Sequence, residues 1–161
     1  MHRFFVPFRM YSTGWLVVAL CVLFQIANLG LWTGMITGSL LVVSLVVHEI
    51  GHIMAATALG VRVREFGICA FGAYTRRARS GSRWKEILIA LSGPLMSLLL
   101  VAPSMFLPSH GIRYQLVLAN LELFAVNLLP LPASDGLRIV RTFFTSYRVA
   151  GADRALNTQK S

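Results

Sequence analysis

Apolar residues occur along this chain in long blocks. Four of them approach the ~20 residues that cross a hydrocarbon core: roughly Gly14 to Trp32, Met35 to Leu59, Ile87 to Leu107 and Tyr114 to Leu131. Between the second and third blocks the pattern changes. The segment VRVREFGICAFGAY, Val61 to Tyr74, opens with apolar–polar alternation and holds Gly67 and Gly72, which predicts a short strand pair or hairpin at the membrane surface. After the fourth block, Leu137, Val140 and Phe144 recur at helical spacing with Arg138 and Arg141 interleaved. That pattern predicts a short interfacial helix over about 136–147, followed by a flexible tail over 149–161. The predicted fold class is an all-α membrane protein: four transmembrane helices (spans about 14–32, 35–59, 87–107 and 114–131), with a membrane-associated β-hairpin between helices two and three. Together these form a single domain over 1–148.

Composition agrees with the blocks. Hydrophobic residues make up 56% of the 161 positions and charged residues 13%, about half the charged share of soluble chains, which argues against a soluble enzyme. The net charge of +9 would suit nucleic acid only if the basic residues clustered on a soluble fold. Instead they punctuate the apolar blocks: of the 15 Lys and Arg, only Arg113 falls between the third and fourth spans, and the other 14 all fall on the opposite side. The positive-inside rule then places both termini in the cytoplasm, in a multi-pass protein of the prokaryotic cell membrane with no nucleic-acid partner. A cleaved signal peptide is the alternative for the first block, whose leader holds Arg3 and Arg9, but no small-residue cleavage site follows before Trp32. Cys21 and Cys69 are isolated and suggest no disulfide framework.

Ionisable residues inside spans are costly, at roughly 2.5–3.5 kcal/mol on the lenient insertion scales. Span two nonetheless contains His48-Glu49-Ile50-Gly51-His52. On a helix, residues four apart share one face, so both imidazoles can grip one zinc ion while Glu49 reaches a metal-held water as general base. A catalytic zinc site commonly takes three protein ligands and one open position. The end of span four, Asn127-Leu-Leu-Pro130-Leu-Pro132-Ala-Ser-Asp135-Gly136, offers the carboxylate of Asp135, although a turn or helix cap would also place an Asp there. Depth favours the site. Ser92-Gly93-Pro94 in span three and Asn127 and Asp135 after span four fall near the level of the histidines, where small residues allow close helix approach. Glu122 reads as a structural partner for a polar residue on a neighbouring helix, with a place in the water path as the alternative, and His110 as a solvated residue.

HEIGH in span two, SGPLMS in span three and NLLPLPASDG after span four resemble the three signatures of the site-2 protease family of intramembrane zinc metalloproteases, over about residues 35–140. The resemblance implies His48, His52 and Asp135 as ligands of one zinc ion per chain and Glu49 as catalytic base. It also implies a role for Asn127 in positioning the substrate or stabilising the oxyanion. Val61 to Tyr74 resembles the family's membrane-associated strands. Two positions depart from the family pattern, Ser97 for a common Asn and Leu137 for a common Gly. With no room in 161 residues for the PDZ or CBS domains of many relatives, a minimal member is expected. The expected activity is hydrolysis of peptide bonds within or near a transmembrane segment of membrane-anchored substrates, with a metal-held water as nucleophile. Its partners are membrane-spanning protein substrates and the lipid bilayer; a homo-oligomer stays open. The alternatives are a catalytically idle zinc-binding scaffold or regulatory partner, and a small metal transporter.

Overall fold

A computed structural model of the chain describes residues 6–69 and 72–144. In chain order the described residues form β1 (Phe8–Met10), α1 (Ser12–Leu29), α2 (Leu31–Ala58), β2 (Val63–Cys69), β3 (Gly72–Arg77), α3 (Arg83–Ser104), α4 (His110–Leu128) and α5 (Asp135–Phe144). Among them α1, α2 and α3 are long and apolar enough to cross a membrane. The fourth expected span forms a helix of 19 residues. However, Arg113, Gln115, Asn120, Glu122 and Asn127 lower its apolar content, and it is not among those three.

The distribution of side chains is inverted relative to a water-soluble fold. Trp15, Leu20 and Phe24 lie exposed on α1, while Thr37, Ser44, His48, Glu49, His52, Ser97 and Asn120 are buried between helices. Such an arrangement is stable only where the surrounding solvent is itself apolar. Helix pairing rests on small residues. A side chain at Gly34 would collide with the backbone of Ile26, and one at Gly38 with that of Val22, so α1 and α2 meet backbone to backbone. Asn120 of α4 donates to Ser44 of α2 at 3.2 Å, a polar tie across the helix pair. Glu122 has no partner among the described residues and lies exposed on α4, so the expected structural pairing is not observed. The nearest polar pairing on that helix is made by Asn120, two residues earlier.

The expected hairpin is present as β2 and β3, antiparallel, with Gly67 opposite Tyr74 and a bulge between Val63 and Glu65. It is one part of a larger unit. β1 adds to it in parallel, pairing Phe8, Arg9 and Met10 with Phe66, Gly67 and Ile68. The sheet order is therefore β1-β2-β3, which leaves β3 as an edge strand. Gly67 is required at this junction, because a Cβ there would run into the Arg9 carbonyl. The basic leader hid this strand, since three residues carry too little alternation to be read as one. A helix is found there as α5, beginning at Asp135; residues 145–147 of that expectation and the 149–161 tail lie outside the described residues.

Candidate metal centre

One turn of α2 separates His48 from His52, so their rings project from the same face with centroids 5.0 Å apart. Asp135 comes from a different part of the chain. Pro130 and Pro132 end α4, Ala133 takes a positive φ of 67°, and the chain turns back into α5. Ser134 holds this break together. Its hydroxyl shares its one proton between the carbonyls of Leu129, at 2.6 Å, and Leu131, at 2.8 Å, and accepts from the amides of Leu131 and Leu137. The last of these bonds is that of a helix N-cap. Asp135 is thereby fixed as the first residue of α5, 3% exposed, with Oδ2 lying 3.2 Å from His48 Nε2 and 3.1 Å from His52 Nε2. The expected ligands His48, His52 and Asp135 thus converge, with all three donor atoms within 4.8 Å of one another.

The donor set fits a zinc ion. Tetrahedral bonds of 2.0–2.1 Å place ligand atoms about 3.3 Å apart, close to the spacing found. The outer nitrogens are also committed. His52 Nδ1 lies 2.6 Å from the Ile89 carbonyl, which can only accept, so the proton sits on Nδ1 and the Nε2 lone pair faces Asp135. His48 Nδ1 lies 2.8 Å from Ser97 Oγ, and Ser97 is fully buried. Lone pairs of two imidazoles and a carboxylate directed at one point repel unless a cation lies among them. Arg138 binds one oxygen of Asp135, Oδ1, at 3.1 Å, which leaves Oδ2 facing the two Nε2 atoms.

Helix α3 reaches the centre through Gly93. A Cβ at that position would press on both Nε2 atoms, so only glycine lets α3 lie against the ligands. The carbonyl that orients His52 belongs to Ile89, whereas the one that Pro94 deprives of its helical N–H is that of Ala90. Pro94 therefore does not account for this bond.

A cavity of about 160 Å³ is lined by His48 and Asp135 together with Glu49, Asn127, Gly72 and Ala73. The expected base thus shares a chamber with two of the expected ligands, His48 and Asp135. Its Oε2 accepts a hydrogen bond of 2.7 Å from the Thr75 hydroxyl of β3. Asn127 lines the same chamber, but its amide donates at 2.9 Å to Leu123 of its own helix. Four contributors were missed in the sequence: Thr75, Ser134, Arg138 and the Ile89 carbonyl. Of these only Ser134 carried a signal, as a Ser directly before Asp-Gly at a helix start.

Residues 37–111 match the family model of peptidase family M50. A candidate zinc metalloprotease of Synechocystis is 33% identical over 118 residues, covering 68% of this chain and 31% of that protein. A zinc metalloprotease of Methanocaldococcus jannaschii is 28% identical over 148 residues, covering 87% of this chain and 43% of that protein. Among solved structures, the site-2 protease from Methanocaldococcus jannaschii matches with a TM-score of 0.70 at 27% identity, over 89% of this chain and 69% of that one. The chain spans less than half the length of these two curated relatives.

Proposed function

We propose that this chain, which fits the site-2 protease family in sequence and in fold, is an intramembrane zinc endopeptidase that cuts membrane-anchored proteins within or near a transmembrane segment. The observation that carries this reading is the meeting of His48, His52 and Asp135 in a buried cluster that shares its chamber with Glu49. Zinc, when bound, supplies Lewis acidity that polarises a carbonyl and makes water nucleophilic near neutral pH. The chain supplies the remaining functions. Glu49 takes the proton of the attacking water and passes it to the leaving amine, with Thr75 orienting its carboxylate. Asn127 reaches the scissile carbonyl by exchanging its bond to Leu123 for one to the substrate.

A helical substrate hides its carbonyls in intrahelical bonds, so it must unwind before attack, and unwound backbone in a membrane needs new partners. The unpaired edge of β3 offers them by strand addition, and Gly72 and Ala73 of that strand line the chamber. Four crossings with both termini in the cytoplasm follow from the charge distribution, with α4 as the fourth. At ~1.5 Å per residue its 19 residues span about 28 Å.

The test incubates the purified protein in detergent with a panel of single-span substrates, with and without a zinc chelator. The reading expects cleavage that is lost on chelation and restored by zinc; cleavage indifferent to chelation contradicts it. Cysteine labelling from outside tests the topology. A cysteine near Ser109 should react and one near Arg79 should not, and the reverse pattern would invert the orientation.

A further inference from the structure

A cavity of about 440 Å³ is lined by six arginines: Arg64, Arg76, Arg77, Arg79, Arg138 and Arg141. Its volume lies in the range of ligand sites. The acidic lining residue is Glu86, whose charge is already taken up by Arg77, at 2.7 and 3.0 Å, and by the amide of Ser80. Arg138 is bound to Asp135, and Arg76 pairs with Glu65 at 3.3 Å. Arg64 and Arg79 are exposed and have no partner among the described residues. The cavity therefore presents uncompensated guanidinium groups, whose planar forks match carboxylates.

The cavity is continuous with the chemistry. Arg138 lines both it and the zinc chamber, and Thr75, which lines it, hydrogen-bonds Glu49. Strand β3 runs from one to the other: Gly72 and Ala73 face the chamber, and Thr75, Arg76 and Arg77 line the arginine cavity. A substrate strand added along β3, advancing ~3.3 Å per residue, therefore carries its side chains into the arginines a few residues from the scissile bond.

We propose that the arginine-lined cavity is a specificity subsite for acidic side chains of the substrate, about two to five residues on the cytoplasmic side of the cut. This rests on the protease reading and its topology. The subsite selects by repulsion as well as attraction. Most membrane proteins carry Lys and Arg at the cytoplasmic end of a span, and such flanks are excluded by like charge. Only spans with an acidic cytoplasmic flank are admitted.

The experiment uses two labelled single-span peptides, identical except for Asp and Glu or Lys and Arg in that flank. Binding is read by anisotropy on the zinc-loaded Glu49→Gln protein in neutral detergent, and cleavage on wild type. The acidic peptide is expected to bind about 10-fold more tightly, with the preference shrinking at high salt. The double variant Arg64→Glu, Arg79→Glu should lose or invert the preference while zinc content and helicity stay unchanged. Equal binding of both peptides, no measurable binding of either, or a preference indifferent to the double variant overturns the proposal. So does binding to phosphatidylglycerol vesicles that the double variant loses while neither peptide is preferred, which would assign the cavity to lipid. Selective binding without any cleavage by wild type would instead defeat the protease reading alone.

Discussion

Gly93→Ala adds one methyl group at the point where α3 touches His48 and His52, two of the proposed metal ligands. In an exposed helix this substitution stabilises by about 1 kcal/mol, so propensity alone predicts a benign change. The structure predicts the opposite for the metal. The added Cβ would lie 2.6 Å from His48 Nε2 and nearer still to the His52 ring. To regain ordinary contact distance the rings must retreat by about 1 Å. Zinc–ligand distances tolerate roughly 0.2 Å, and retreat is opposed by the bonds to Ser97 and the Ile89 carbonyl. Zinc affinity should therefore fall at least ~100-fold, about 2.7 kcal/mol, with helical content retained. Competition against a chromophoric chelator measures the first and circular dichroism the second. Gly111→Ala, where a Cβ meets nothing within 4 Å, serves as control and should leave affinity unchanged. Wild-type zinc affinity in Gly93→Ala would refute the close approach of α3 to the ligands.

Asp135→Ala removes one of three ligands and should abolish stoichiometric zinc binding by metal analysis, whereas Ser97→Ala loosens only the outer nitrogen of His48 and should weaken zinc about 10-fold; equal effects would contradict the difference in role. Thr75→Val keeps the shape of the side chain but deletes the hydroxyl that holds Glu49, so turnover should fall about 10-fold with zinc affinity unchanged, measured by single-turnover cleavage alongside chelator competition.

The clustered histidines were legible because a span makes polarity costly: HExxH inside an apolar block needs a reason, and helical periodicity already places its rings on one face. Asp135 was legible only as a carboxylate at the right depth after two prolines, and the backbone break that aims it depends on Ser134 and on the positive φ of Ala133. Strand β1 was not legible, since its three residues owe their conformation to pairing with β2 and to the missing side chain of Gly67. Thr75 was equally silent. Its bond to Glu49 joins residues 26 apart, and no local pattern records which strand folds back over which helix. Glu122 shows the converse failure, because a lone charge in a span signals that a partner is needed without identifying one.

The central claim is that Glu49 performs the chemistry at a zinc held by His48, His52 and Asp135. Glu49→Gln measures it most directly, with bound zinc and cleavage of a single-span substrate determined on the same purified sample beside wild type. The account predicts one zinc per chain in both proteins and proteolysis in wild type alone. Wild-type turnover by Glu49→Gln, with its zinc in place, would contradict it.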